Sequence, residues 1–266
     1  MNEALEGTRV FLCLTFLIYA SWSDFRKREV SNIVWAVFAP IAFVLTSLQL
    51  FLFIQQQLYI YAISFGLTFA LSIALFYTGA FGGADAKALI CISLALPSYP
   101  IYLLQPLFGF ISPIFPVTVF CNAVLLAALS VVYVLIRNGL WKHRTGKPLF
   151  GGFEKESTGR KILTLLCGYR ADVNELKKKE HWYPLEDINI TETGESQRRL
   201  LIIPKEEKRE EIVNRVLKAA SEGRIQNGVW ITPGLPMLIF ITAGLIVALF
   251  IGDIVWIILR SFLGYS

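Results

Sequence analysis

Two aspartates, Asp24 and Asp85, stand beside long apolar stretches, and a carboxylate at membrane depth is costly enough to need a functional reason and a partner. Asp24 ends the first apolar run, behind Ala20, Ser21 and Ser23; Asp85 ends the glycine-rich turn Gly79-Ala80-Phe81-Gly82-Gly83-Ala84. Small residues let membrane helices approach closely, and glycine permits turns that a side chain resists. Helices meeting there would bring the two acids together. Two carboxylates in contact share one proton rather than ionise together. The ionised member can then take a proton from water while the protonated member polarises a scissile carbonyl, as aspartic proteases divide the work. Such chemistry needs no metal and no cofactor. The plainer reading is that Asp85 caps a helix start and Asp24 neutralises Arg26, Lys27 and Arg28.

The elements that would position these acids are membrane spans. Hydrophobic residues make up 55% of the 266 positions and charged ones 17%, a balance typical of a polytopic α-helical membrane protein. A spanning helix takes roughly 20 apolar residues, and six candidates follow, at about 8–24, 33–54, 58–81, 87–104, 113–136 and 235–259. The fourth carries Pro97 and Pro100, which should end or kink it, and the stretch 105–112 reads as a shallow interfacial loop. Arg26, Lys27 and Arg28 crowd the exit of the first span, whereas Gln55-Gln56-Gln57 between the second and third is uncharged. By the positive-inside rule both termini lie outside and both aspartates lie at the cytoplasmic edge. Glu3 and Glu6 precede the first span, and no cleavable signal peptide is expected.

The chain thus divides into a membrane domain over 1–136, a cytoplasmic domain over 137–232, and a sixth span with the C-terminus over 233–266. The polar segment 137–232 holds 19 Lys or Arg against 14 Asp or Glu. Within it, Arg198 to Pro204 reads as a strand and Lys205 to Ala220 as an amphipathic helix with Ile212, Val216, Leu217 and Ala220 on one face. Ile162 to Cys167 is ambiguous between strand and helix, so a small α+β domain is expected. The run Lys177-Lys178-Lys179 is a solvated face, with anionic lipid as the sharper alternative. His143 and His181 both lie in this segment, and the cysteines at 13, 91, 121 and 167 form no C-x-x-C pair. A histidine-rich metal centre in the membrane is therefore excluded, and no disulfide framework or zinc site is suggested.

The run from Asp24 to Asn32 after a span, followed by Gly82-Gly83-Ala84-Asp85-Ala86-Lys87 in a later loop, resembles the two aspartate motifs of the prepilin peptidase family of membrane aspartic proteases. Within that family it is most similar to archaeal preflagellin peptidases, of the Gly-x-Gly-Asp type. The resemblance covers all six spans. It implies Asp24 and Asp85 as the catalytic pair, with Gly82, Gly83, Ala84 and Lys87 as the supporting motif. Ala84 stands where the family usually has a second glycine, which rules out a conformation that only glycine reaches. Thr232-Pro233-Gly234-Leu235-Pro236, opening the last span, is similar to the Pro-Ala-Leu motif of presenilin-type proteases, which implies that Pro233, Gly234 and Leu235 line the active site. The cysteine-rich region of the bacterial methylating enzymes has no counterpart, so cleavage without methylation is implied. Implied partners are preflagellin or other prepilin-like precursors with short basic leaders, together with membrane lipids and no nucleic acid.

Other polar residues have quieter readings. Lys87 either lowers the pKa of Asp85 or snorkels to the surface. Asp253, toward the outer end of the sixth span, reaches interfacial water or pairs with Arg260, and Asn122 hydrogen-bonds to a neighbouring helix. Trp22 and Tyr77 belong to the aromatic belt, or shape a substrate groove. A proton-coupled transporter using the same two acids is the competing class. Acids confined to one face and the lack of an internal repeat count against it.

Overall fold

The computed structural model describes residues 1–108, 112–178, 182–190, 196–201, 209–225, 228–234 and 236–264. Two compact units emerge, Met1–Ala127 with Pro236–Ser266, and Ala128–Leu235. In the first, α1 (Asn2–Lys27), α2 (Asn32–Phe53), α3 (Leu58–Tyr77), α4 (Gly83–Ala95), the start of α5 (Phe115–Thr145), α9 (Met237–Phe250) and α10 (Ile254–Leu263) form an all-helical assembly. Its side chains are distributed inside out. Ser64, Thr68 and Ser72, one turn apart on α3, are buried together with Thr46 and Gln49 of α2, while Phe11, Ile18, Phe51 and Leu67 face outward. Water would drive those residues inward; a bilayer does not, because lipid tails are as apolar as leucine. This is a multi-pass membrane protein.

Four helices, α1, α2, α3 with the 3-10 turn Gln55–Gln57 ahead of it, and α5, are each long and apolar enough to cross a bilayer. The pair α9 and α10 passes that test only jointly and is bent by 59°. The sixth span expected over 235–259 is thus a bent helix pair rather than one continuous helix. Gly252, at φ 105°, turns the chain where a side chain would be strained, and Asp253 caps α10 by accepting the Trp256 N–H at 3.2 Å. Asp253 is also buried and accepts from the Thr118 hydroxyl at 2.8 Å, so interfacial water is not what it meets. Asn122 secures the same break, donating to Gly252 O at 2.9 Å and accepting from the Ile254 N–H at 3.1 Å.

The fourth expected span, 87–104, is also redrawn. The helix there has 13 residues, about 20 Å at 1.5 Å per residue against about 30 Å of hydrocarbon. It ends at Leu96, whose φ of −135° and ψ of 70° leave the helical region as the residue before a proline commonly does. Against α4 pack α1, α2, α3 and α9, so this short helix lies at the centre of the first unit.

The second unit is mixed. The three-stranded antiparallel sheet has the order β1 (Tyr169–Ala171), β5 (Val229–Pro233), β2 (Trp182–Pro184), and β3 (Glu186–Ile190) pairs with β4 (Ser196–Leu200) as a separate hairpin. The ambiguous run 162–167 is helical: α6 (Thr158–Cys167) starts at Ser157, whose hydroxyl accepts the Arg160 N–H. The short α7 (Val173–Lys178) is followed later in the chain by α8 (Arg209–Ser221), which buries Ile212, Val213, Val216 and Ala219. Leu217 and Ala220 are half-buried and pack against the same core, so the apolar stripe is the expected one widened by Val213 and Ala219. The expected strand residues 202–204, helix residues 205–208, Lys179 and His181 lie outside the described residues.

Burying Arg170 in this unit takes a matched set of partners. Its guanidinium donates to Leu149 O at 2.8 and 3.0 Å and to Gly228 O at 2.8 Å, and lies 4.0 Å from Glu186. Glu186 also receives Arg198 at 2.7 Å, and the rings of Phe153 and Trp230 cover the Arg170 cation. Burial pulls the Arg170 pKa down to about 10, with Glu186 opposing the fall. Cys13 and Cys91 are buried in the first unit, Cys121 is half-buried, and Cys167 at the end of α6 is exposed.

Candidate active site

Asp24 lies in the last turn of α1. The helix stops at Arg28, whose left-handed φ of 56° is stabilised by its N–H bonding to Asp24 O at 2.8 Å. One turn earlier Ser21 donates to Leu238 O at 2.9 Å and sits 2.7 Å from the Thr242 hydroxyl, which itself reaches Leu17 O at 3.3 Å. These bonds join the end of α1 to the start of α9. In the connection to α2, Ser23 donates to Glu29 O and Ser31 accepts the Ile33 N–H, so the turn after Asp24 is held at both ends.

Asp85 is reached through a tighter turn. Thr78 closes α3, and Gly79 takes φ 74° while Ala80 and Phe81 N–H groups both return to Leu75 O. The left-handed residue that only glycine adopts readily is thus Gly79, not Gly82 or Gly83. Gly82 has φ −70° and an extended ψ, and its N–H donates to the Asp85 carboxylate at 3.0 Å. What Gly82 supplies is room, since a Cβ there would sit 3.2 Å from the same carboxylate oxygen. Ala84 lies in the first turn of α4, where alanine is the better helix former, so the departure from the family pattern carries no strain. Phe81 anchors the turn by packing edge-on against Phe120.

Asp24, in the last turn of α1, and Asp85, in the first turn of α4, belong to helices that pack against each other though their starts are far apart in sequence. Both aspartates are half-buried, screened from bulk water yet open to one side. Lys87 donates to Asn32 Oδ1 at 2.6 Å, so the lysine after the second aspartate ties α4 to the start of α2, the helix that follows the first. Both residues are exposed, so the lysine reaches the surface, as snorkelling expects, and is bonded there. Asn32 was visible in sequence as the end of the first motif, but nothing in its type announced Lys87 as partner. Trp22 is half exposed with the Arg26 guanidinium 4.8 Å above its ring, and Tyr77 is exposed. Among the described residues no group of three or more His, Cys, Asp or Glu gathers as metal ligands.

The Pro233, Gly234, Leu235 stretch takes a different form from that expected. Thr232 and Pro233 belong to β5, opposite Tyr183 and Trp182, and α9 starts only at Met237 behind Pro236. The β-branched and aromatic run from Val229 to Thr232 favours a strand. Gly234 links the strand to that helix, and Leu235 lies outside the described residues.

Two family models match the chain. Residues 11–135 match the type IV leader peptidase family, and residues 160–254 match the archaeal peptidase A24 C-terminus, type II. The chain is similar to the preflagellin peptidase of Methanococcus voltae, with 29% identity over 243 residues covering 89% of this chain and 92% of the relative. The preflagellin peptidase of Methanococcus maripaludis is 26% identical over 249 residues, again 89% and 92%. That of Methanocaldococcus jannaschii is 24% identical over 245 residues, 89% and 91%.

Proposed function

We propose, from the premise that the chain belongs to the type IV leader peptidase family, that it is a membrane aspartic endopeptidase that removes the short basic leader of preflagellin precursors. The observation that supports this reading is the packing of α4, whose first turn holds Asp85, against α1, whose last turn holds Asp24, with Lys87 bonded to Asn32 just beyond the end of α1. In the proposed reaction the ionised aspartate takes a proton from water, and the water oxygen attacks the scissile carbonyl as the protonated aspartate donates to its oxygen. Collapse of the tetrahedral intermediate breaks the C–N bond, and the amine leaves with the proton taken from water. Gly82 orients Asp85 through its N–H, and Lys87 with Asn32 steadies the backbone beneath it. The resemblance adds Pro233, Gly234 and Leu235 as substrate contacts, and other archaeal prepilin-like precursors as alternative substrates.

The reading includes six crossings, with α4 as the short one. It is supported by the packing of α4 against α1, with Ala95 at the end of α4 accepting from Arg9 near the start of α1 and Lys87 in the first turns of α4 bonded to Asn32 just beyond the end of α1. Both termini are placed outside, and the aspartates and the polar 137–232 segment at the cytoplasmic face, in keeping with Arg26, Lys27 and Arg28.

The test is cleavage of a preflagellin-like precursor by detergent-purified protein, read by mobility shift and mass of the product. Asp24→Asn and Asp85→Asn are each expected to lose about 10²-fold or more of the rate while folding normally, the range for removing a general acid or base. A folded asparagine variant that cut at the parent rate would end the dyad mechanism, and proton uptake in vesicles would then become the assay of choice.

A further inference from the structure

The helix that carries Asp85 ends in the buried interior of the first unit, at Ala95 and Leu96. Every α-helix leaves its last four carbonyls without intrahelical partners, and in hydrocarbon no water replaces them. In α4 two of these carbonyls are met by side chains from two surrounding helices, and a third helix meets the carbonyl of Pro97 just beyond its end. Thr46 of α2 donates to Leu94 O at 2.8 Å and Ala95 O at 3.2 Å; Arg9 of α1 donates to Ala95 O at 3.1 Å; Ser64 of α3 donates to Pro97 O at 2.6 Å. Arg9, Thr46 and Ser64 are all buried. Arg9 is balanced by Glu6 at 3.9 Å, whose carboxylate accepts the Tyr102 N–H at 2.9 Å. A cation at the negative end of a helix dipole is favourable, so the arginine both bonds and attracts the terminus it holds.

The rest of α4 does little to fix its height. Of its seven buried residues, Ala86, Ala88, Cys91, Ser93 and Ala95 are small, leaving Leu89 and Ile92 as the large ones. A smooth surface resists separation more than sliding, whereas hydrogen bonds to named carbonyls set an axial position. Sliding by a single residue moves a helix about 1.5 Å, and a misplacement of about 1 Å at reacting groups can cost about 10²-fold in rate.

We propose that Arg9, with Thr46, is a positioning residue: by clamping the far end of α4 it sets the height of Asp85 opposite Asp24. The inference rests on the reading of those aspartates as the catalytic pair. Its test uses the full chain in detergent with a preflagellin-like substrate, comparing parent, Arg9→Met, Arg9→Lys and Thr46→Val, with Asp24→Asn and Asp85→Asn alongside. Arg9→Met is expected to lower kcat by about 10²-fold with KM within twofold of the parent. Arg9→Lys, which keeps a cationic donor, should recover at least about tenfold of that loss, a rescue that mere filling of space would not produce. Thr46→Val removes two carbonyl contacts without changing the side chain's outline, and is expected to lower kcat about tenfold; it carries the test if Arg9→Met does not accumulate as folded protein. Folded Arg9→Met or Thr46→Val enzyme with the parent kcat, while both asparagine variants are inactive, would overturn the clamp alone. Active asparagine variants would overturn the dyad and the clamp together.

Discussion

At the scale of single residues, the acids were legible because charge is expensive in an apolar setting, and Asp24 and Asp85 announce themselves by their surroundings alone. Their helpers were not. The bond of 2.6 Å between Lys87 and Asn32 joins residues 55 positions apart, and neither type specifies the other. We expect Lys87→Met and Asn32→Ala to destabilise the protein non-additively, with a coupling energy of about 0.5–1 kcal/mol. Unfolding of the two single variants and the double variant in an SDS titration measures it. The glycines teach a related lesson. Sequence directs attention to Gly82 and Gly83 next to the aspartate, but the conformational demand falls on Gly79, because turn geometry depends on where α3 ends. Gly79→Ala should therefore cost about 1 kcal/mol or more through strain, whereas Ala84→Gly, in the first turn of α4, is expected to cost less than about 1 kcal/mol, the penalty at a helix interior. Thermal unfolding monitored by circular dichroism ranks the two.

At the scale of elements, apolar length located the helices well and their ends poorly. The fourth and sixth apolar stretches are long enough on paper, yet Leu96 and Gly252 end α4 and α9 early. What makes those early ends tolerable is side-chain bonding from other helices, which no local pattern encodes. Packing adds a second hidden constraint. At Gly244 of α9 a Cβ would fall 2.6 Å from Val119 O and 2.7 Å from the Ala123 amide nitrogen, so α9 meets α5 backbone to backbone. Gly244→Val should push the helices apart and cost about 1–3 kcal/mol, the range for overpacking, seen as a lowered Tm of the purified protein. The Glu186 cluster is equally invisible in sequence, where Arg170 looks like one more solvated cation. With Glu186→Ala, two buried guanidinium groups lose their carboxylate, and about 3–5 kcal/mol of stability should go with it. Denaturant unfolding followed by Trp fluorescence checks this.

At the scale of the whole molecule, composition fixed the class at once, since 55% apolar residues leave few alternatives to a polytopic membrane protein. The polar segment was harder to read. Strands of three residues such as β1 and β2 are too short to show alternation, and their pairing with β5 spans long stretches of chain. The cysteines give the molecule one more property. With Cys13 and Cys91 buried and Cys121 half-buried in the first unit, only Cys167 presents an exposed thiol. A charged maleimide that cannot cross a bilayer therefore has one site to modify, and that site belongs to the polar unit. With the aspartates facing the cytoplasm, intact cells should leave it unlabelled and inverted vesicles should label it stoichiometrically; the reverse pattern would invert the topology. The chain carries a built-in reporter of its own sidedness, with no thiol to engineer.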